Sequence, residues 1–193
     1  MTYRMTPTHC YFWGSYFSQW ARTPFSAPLP QIHDTGAAKV LTPKGTMSFK
    51  TAEQFMMASK ASLMGDMITL QEILDEDDPA KCKQMGRKVQ NFDQALWDKY
   101  DMRCVTIGTY AKFTQHDAAR AFLKEVGKRV IVEGSPQDKI WGVGLHFDDP
   151  LIEDETNWKG ANKLGKVIMA IRDIIDTDGE QLNPWNAAMK ANL

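Results

Sequence analysis

The chain has 193 residues, of which 43% are hydrophobic and 24% are charged. This composition excludes a disordered regulator and a fibrous repeat, and it predicts one compact domain over residues 1–193. The 23 Lys and Arg residues balance 24 Asp and Glu residues to a formal net charge of -1. Because a near-neutral chain has no overall field that attracts polyanions, long nucleic acid is not expected as an obligate partner.

The sequence lacks signals for secretion, membrane insertion and zinc binding. Its first residues contain no apolar run of signal-peptide length, and no stretch reaches the roughly 18 apolar residues of a membrane span. Cys10, Cys82 and Cys104 lie far apart, and no Cys or His pair has the spacing of zinc ligands. We therefore expect a cytoplasmic protein with reduced thiols, no metal and no membrane contact.

The first quarter of the chain predicts strands and loops rather than a long helix. Residues 11–20 are rich in aromatic side chains, and four prolines follow at Pro24, Pro28, Pro30 and Pro43. Proline lacks a backbone N–H and clashes with the preceding helical turn, so these positions interrupt any helix. The expected structure is a set of short strands and loops, with a mobile surface loop from Ile32 to Lys44.

Helical periodicity begins at Thr51 and predicts a mostly α fold with a few short strands. Thr51-Ala-Glu-Gln54 is a capping-box pattern, in which the Thr51 hydroxyl caps the helix and Gln54 reaches back. The apolar residues that follow recur three or four positions apart. The same spacing predicts further helices over residues 79–90, 93–110, 117–126 and 160–173, a strand over 129–133, and a short terminal helix over 182–189.

A second stripe on the first helix carries charge. Glu53, Met57, Lys60 and Met64 are spaced four, three and four residues apart, so they lie about 100° from the apolar face. Glu53 and Lys60 are roughly 10.5 Å apart along the helix axis, too far for an ion pair but suited to flanking a small ligand. The spacing leaves two interpretations open: a pair that borders a cleft, or two solvated surface charges.

Two later segments have the composition of a binding site. Residues 135–144 place Asp138 three residues before Trp141, after a predicted strand and between glycines, where sites tend to lie. Residues 160–165 begin a predicted helix, and free backbone N–H groups at a helix start suit an anion such as phosphate. The alternatives are a turn with a packed tryptophan for the first segment and an ordinary helix start for the second.

Seven motifs, read in chain order, resemble the NADAR family, which is also called YbiA-like. They cover about residues 10–173, and their order makes the resemblance specific. The motifs are Phe12-Trp-Gly14 with Phe17-Ser-Gln-Trp20, Thr51-Ala-Glu53-Gln-Phe55 with Lys60, Gly86-Arg87, Trp97, Lys112-Phe113-Thr-Gln115, Asp138-Lys-Ile-Trp141-Gly142, and Gly160-Ala-Asn162-Lys-Leu-Gly165 with Arg172.

This resemblance implies a compact, multihelical YbiA-like domain and an N-glycosidase activity without a metal or cofactor. Family members are associated with cleaving the base–ribose bond of early riboflavin-pathway intermediates, or with removing ADP-ribose from guanine in nucleic acid. Both substrates join a ribose C1 to nitrogen and carry phosphate. We therefore expect a small ribosyl phosphate or ADP-ribosyl substrate, including ADP-ribosylated nucleic acid. The alternative is a non-catalytic module that binds NAD or ADP-ribose.

The resemblance also implies roles for individual residues. Glu53 becomes the acid–base or hydrogen-bonding carboxylate at the ribose, Lys60 a candidate nucleophile that forms a Schiff base, and Asp138 the second carboxylate. The expected substrate-binding residues are Gly142, Trp97 and Trp141 at the base, Asn162 with the glycines beside it at ribose or phosphate, and, more weakly, Arg87 and Lys112 at phosphate. For Lys112 the alternative is a partly exposed charge with no ligand.

Two features depart from the family pattern. Gln19 stands where the family has Asn, and its longer side chain would displace any polar contact made there. The proline-rich stretch over residues 27–46 looks like an insertion beside the site. We expect it to cap the pocket and to influence the choice of substrate.

Overall fold

The computed structural model describes residues 2–191 and Leu193. Over these residues it contains seven α-helices and five β-strands, and 48% of the chain is helical, as the mostly α prediction requires. The helices are α1 (Ala52–Leu63), α2 (Met67–Asp75), α3 (Pro79–Gly86), α4 (Gln94–Gln115), α5 (Asp117–Val126), α6 (Lys163–Asp178) and α7 (Pro184–Lys190). The strands are β1 (Tyr3–Met5), β2 (His9–Phe12), β3 (Phe25–Asp34), β4 (Lys39–Phe49) and β5 (Val130–Glu133), and 3-10 helices span Pro150–Glu153 and Glu155–Asn157.

A small three-stranded sheet joins the two ends of the domain. Its strand order is β1-β2-β5, with β1 antiparallel and β5 parallel to β2. Cys10 lies opposite Ile131 and Phe12 lies opposite Glu133 in the parallel pair. Helix α6 covers β5, so the apolar residues at the centre of this strand are buried. The last residue of β5, Glu133, lies at the end of the sheet.

The segment predicted as a mobile loop is instead part of a long β-hairpin. Strands β3 and β4 have 10 and 11 residues, so they are not short, and they pair from Phe25 opposite Phe49 to Asp34 opposite Lys39. The register shifts between Pro28 and Pro30. Prolines fit here because both strands are edge strands, so the missing N–H groups need not break the ladder.

The boundaries predicted from the sequence agree with the structure at the start of α1 and agree less well for the other helices. The Thr51 hydroxyl accepts a 3.1 Å hydrogen bond from the N–H of Gln54, which confirms the cap. The Gln54 side chain reaches back to the N–H of Lys50, one residue before the expected partner. The short helix α2 is not predicted by the sequence analysis. Helix α4 extends to Gln115, beyond the predicted end, because the residues of its last turns are buried in the core.

Helix α4 is the centre of the hydrophobic core and contacts α1, α5, α6, α7 and β3. Its contact with α1 is close because a Cβ on Gly108 would lie 2.4 Å from the Phe55 ring. A second, smaller cluster forms around Tyr11, Val132 and Phe147 at the three-stranded sheet. Of the helices described, none combines the length and the apolar character that a bilayer crossing requires.

Candidate active site

The first turn of α1 buries a carboxyl group. Glu53 is 4% exposed, and its Oε1 has no hydrogen-bond partner among the residues that the structure describes. Burial raises the pKa of Glu53 to about 6, while Lys83, the Trp20 side chain and Arg87 oppose the rise and Asp138 adds to it. Glu53 therefore lies beneath the surface rather than at the rim that the helix stripe predicts. An unsatisfied buried carboxyl is the kind of group that binds a ligand.

The charge of Asp138, in the turn after β5, acts on this carboxyl. Its Oδ1 accepts hydrogen bonds from the N–H groups of Ile140 at 2.9 Å and Trp141 at 2.8 Å, which fix the turn. A Cβ on Gly142 would lie 2.9 Å from the carbonyl oxygen of Glu133 and 3.0 Å from that of Asp138. Gly142 therefore allows the turn to fold back on β5, and the Asp138–Gly142 motif fixes a carboxylate whose charge acts on Glu53.

A third carboxyl group, absent from the sequence-based prediction, ends β5. The Oε2 of Glu133 is buried and has no hydrogen-bond partner within residues 2–191. Burial raises the pKa of Glu133 to about 8, with further increases from the charges of Asp138 and Glu53 and opposing effects from Lys83 and Lys112. The signal in the sequence is an acid that closes an apolar strand just before Gly134.

The start of α6 does not offer the free N–H groups that were predicted to bind phosphate. The N–H groups of Ala161, Asn162, Lys163 and Leu164 donate to the carbonyls of Lys139, Gly142, Ile140 and Trp141, respectively. The helix start is thus already satisfied by the Asp138 turn, and the anion-site prediction is wrong for these four groups.

The side chain of Asn162 is also used within the protein. Its Oδ1 accepts a 3.0 Å hydrogen bond from the N–H of Glu133, and its Nδ2 donates to the carbonyl of Ile131 at 2.9 Å. Asn162 is 2% exposed and has a left-handed backbone with φ 50°. The structure therefore places it as a support for the end of β5, and contact with ribose or phosphate stays a prediction.

Lys60 lies with Arg87 and two aromatic rings at the other end of α1. Its Nζ is 4.1 Å from the ring centroid of Phe92 and 5.8 Å from that of Trp97. Burial lowers the pKa of Lys60, and the charge of Arg87 lowers it further. The structure thus brings Lys60, Arg87 and Trp97 together, as predicted for one site. A partly desolvated amine beside an aromatic face suits a nucleophile or a cation that contacts the ligand.

Trp141 lies beside an ion pair that connects α6 to α4. The Nζ of Lys163 is 5.8 Å from the Trp141 ring centroid and 2.5 Å from Oδ2 of Asp101, which is 2% exposed. Trp97 lies one turn before Asp101 on α4. The ion pair between Lys163 and Asp101 therefore joins the part of α4 that carries Trp97 to the segment beside Trp141. These are the two rings expected to contact the base.

Lys112 is fully buried, so the alternative of a partly exposed charge is wrong, and its contact with phosphate stays a prediction. Its Nζ donates to the carbonyls of Ser18 at 3.1 Å and Phe17 at 3.5 Å. Burial lowers the pKa of Lys112 to about 7, and the charge of Glu133 partly offsets that effect. Lys112 therefore holds the turn that carries Trp20. It lies near the carboxyl cluster, by which we mean Glu53, Glu133 and Asp138, because the charge of Glu133 acts on it.

Two further residues of the cluster were not singled out from the sequence. Trp20 is 46% exposed and lies beside Glu53, and the Nζ of Lys83 on α3 is 6.0 Å from the Trp20 ring centroid. The aromatic run over residues 11–20 pointed to Trp20, whereas no local pattern distinguishes Lys83 from the other lysines. Lys83 becomes recognisable only through its proximity to Glu53.

The side chains of the cluster are carboxyl groups, cations and aromatic rings. No group of three or more His, Cys, Asp or Glu side chains with a metal-binding arrangement occurs among the residues described. Cys10, Cys82 and Cys104 are buried free thiols. Two surface cavities, of about 150 and 660 Å³, are lined by other residues. Carboxyl groups with raised pKa values beside cations and aromatic rings make this cluster the candidate active site.

The chain belongs to the NADAR domain family, whose pattern matches residues 11–176. It is 44% identical over 125 residues to an N-glycosidase of Acanthamoeba polyphaga mimivirus, covering 65% of this chain and 74% of that protein. It is 38% identical over 149 residues to the Caenorhabditis elegans protein irg-1, covering 76% and 70%. The NMR structure of Escherichia coli YbiA superposes with a TM-score of 0.65 at 22% identity, over 94% of this chain and 93% of that one, which shows the same fold.

Proposed function

We propose that this protein is an N-glycosidase that hydrolyses the ribose C1–nitrogen bond of a phosphorylated N-ribosyl substrate. The observation that carries the proposal is the buried, unsatisfied Glu53 Oε1, in a carboxyl group on which the charges of Asp138, Lys83 and Arg87 act. The viral relative and the YbiA proteins of the same family are named N-glycosidases, which supports the same reaction class. The single domain over residues 1–193 would supply the whole site.

The Glu53 carboxylate is suited to the charge that develops on the sugar. Breaking the C1–N bond sends its electron pair to nitrogen and leaves oxocarbenium character on the ribose. A desolvated carboxylate stabilises this positive charge more strongly than one in water. With a pKa of about 6, Glu53 is ionised at neutral pH and can accept a proton from the attacking water.

Lys60 offers a covalent route to the same products. Its lowered pKa increases the fraction of neutral amine, which can attack C1 as the base departs. Water then hydrolyses the ribosyl–lysine intermediate after ring opening to a Schiff base. Borohydride reduction during turnover tests this route, because it would trap the opened ribose on Lys60 as a stable amine visible by mass spectrometry. An unmodified Lys60 during active turnover would exclude the covalent route and leave direct hydrolysis.

The proposed substrate-binding groups lie around Glu53 and Lys60, the charged residues in the first and last turns of α1. Trp97 and Trp141 would stack on the base, and Trp20 lies where it can cover the ribose. Arg87 and Lys83 are the cations nearest Glu53 and would hold phosphate. Two substrates fit this set: a ribosylaminopyrimidine 5′-phosphate of the riboflavin pathway and an ADP-ribosylated guanine.

Base release distinguishes catalysis from simple binding. The full-length protein is mixed with each of these two substrates, and the free base is quantified by chromatography. Release that falls by about 10²-fold or more in Glu53→Gln, and not in the exposed control Glu72→Gln, supports the proposal. Folded wild-type protein that is stabilised by ADP-ribose yet releases no base from either substrate would instead establish the binding-module alternative.

A further inference from the structure

The mechanism proposed above leaves one buried carboxyl group without a role. Glu133 ends β5, and its Oε2 is enclosed by protein yet bonded to no group within the described part of the chain. Leaving a buried polar atom unsatisfied costs about 1–3 kcal/mol, so such groups are rare unless they serve a ligand. The charges of Asp138 and Glu53 both act on Glu133, so it belongs to the same cluster and not to a separate site.

The backbone of Glu133 is fixed from both sides. Its N–H donates to Asn162 on α6, and its carbonyl accepts a 3.0 Å hydrogen bond from the N–H of Val143 beyond the Asp138 turn. A Cβ on Gly165 would lie 2.1 Å from the carbonyl of Ile131, so α6 packs directly against β5. A rigid strand end of this kind can hold a catalytic side chain at one position.

We infer that Glu133 is the general acid that protonates the departing nitrogen, a role that rests on the proposed N-glycosidase function. Glu53 then acts on the ribose side of the same bond, as the carboxylate that stabilises C1 and receives the proton of water. The two carboxyl groups reach the cluster from different elements, the start of α1 and the end of β5, so each can act on a different side of the bond. Glycosidases divide acid and base between two carboxyl groups in this way.

The proton balance of this step closes within the cluster. As the C1–N bond breaks, the electron pair moves to nitrogen, and nitrogen takes the proton of the Glu133 carboxyl. Water forms the new C1–O bond and gives its proton to the Glu53 carboxylate. The products are the free base and the ribose phosphate. Transfer of one proton from Glu53 to Glu133 through solvent restores the starting state.

The charges around the two carboxyl groups support this assignment. Glu133 is faced by Asp138, Glu53, Lys83 and Lys112, and its pKa of about 8 leaves it protonated at neutral pH. The pKa of Glu53, about 6, leaves that carboxyl ionised under the same conditions. Two carboxyl groups whose environments separate their pKa values are the usual basis of an acid and a base in one site.

The test compares full-length wild type with Glu133→Gln and the exposed control Glu72→Gln. The substrate is the ribosylaminopyrimidine 5′-phosphate or the ADP-ribosylated guanine nucleotide, whichever the wild type cleaves. We expect kcat/KM of the wild type to fall above about pH 8, and Glu133→Gln to lose about 10²- to 10⁴-fold at neutral pH together with that alkaline limb. Glu72→Gln should match the wild type.

Several results would overturn the assignment. A folded Glu133→Gln that retains its rate and its alkaline limb excludes Glu133 as the acid, while the glycosidase function stands. Loss of the alkaline limb in Glu53→Gln instead reverses the two roles. If Glu133→Gln does not fold, the wild-type profile decides, since activity that stays constant to about pH 9.5 excludes an acid with the pKa of Glu133. No base release by folded wild type would overturn the function itself and the assignment with it.

Discussion

The backbone N–H of Glu53 donates a 2.9 Å hydrogen bond to the carbonyl of Gln19, which joins the start of α1 to the turn that carries Trp20. The Gln19 side chain points the other way and donates to the Thr109 hydroxyl on α4 at 3.3 Å. Lys112 holds the same turn from below through Ser18. The turn is therefore fixed from three directions, and the carboxyl of Glu53 is covered by a rigid segment.

Glu53→Gln should change how stability depends on pH. Burial raises the pKa of Glu53 from 4.5 to about 6, so the folded wild type binds more protons than the unfolded chain between these values. Wild-type stability therefore falls as pH rises from 4.5 to about 6, and the uncharged variant escapes this loss. We expect the stability of the variant relative to wild type to rise by about 2 kcal/mol across that window.

Urea unfolding at a series of pH values measures this difference. Glu72→Gln, on the exposed side of α2, is the matched control and should run parallel to the wild type. Parallel curves for Glu53→Gln as well would show that the Glu53 carboxyl is hydrated rather than desolvated in the folded protein.

Lys112→Met tests the buried amine. Burial lowers the pKa of Lys112 from 10.5 to about 7, so the unfolded chain binds a proton that the folded chain has released between these values. The wild type should therefore gain stability relative to Lys112→Met as pH rises from about 7 towards 10.5. Denaturant unfolding of both proteins gives the difference curve, with exposed Lys88→Met as the control; a flat curve would contradict burial of the amine.

Gly165→Ala tests the contact between α6 and β5. The added Cβ would lie 2.1 Å from the backbone carbonyl of Ile131 and 2.5 Å from Nδ2 of Asn162, and neither can move freely. We expect a loss of about 1–3 kcal/mol in the free energy of unfolding. The control is Gly45→Ala in β4, where nothing lies within 4 Å of the new methyl group. Equal melting temperatures for the two variants would refute the close packing.

Asn162→Gly separates the side chain of Asn162 from its backbone. Glycine readily adopts the left-handed conformation with φ 50°, so the turn persists while both side-chain hydrogen bonds are lost. We expect about 1–3 kcal/mol of destabilisation. We also expect a lower kcat with little change in KM, because Glu133 loses the group that holds its N–H. A change confined to KM would indicate that Asn162 contacts substrate instead.

The residues of the carboxyl cluster differ in how visible they are in the sequence. Glu53 and Asp138 stand in motifs with regular spacing, and both lie in the cluster. Glu133 and Lys83 have no such spacing, since each joins the cluster through contacts with segments distant in the chain. At the start of α6 the sequence predicts a site that the fold does not provide. Residues 160–165 have the pattern of an anion site, but their N–H groups already donate to carbonyls of the Asp138 turn.

The sequence by itself determined the local features: the Thr51 cap, the amphipathic helices and the family motifs, each of which depends on residues a few positions apart. The tertiary structure decided the burial of Lys112, the hairpin over residues 25–49 and the inclusion of Glu133. Lys112 bonds Ser18 across 94 positions, and Asn162 bonds Glu133 across 29. The physical reason is desolvation. The pKa of an ionisable side chain shifts when distant segments of the chain exclude water from it, and no local sequence pattern records that exclusion.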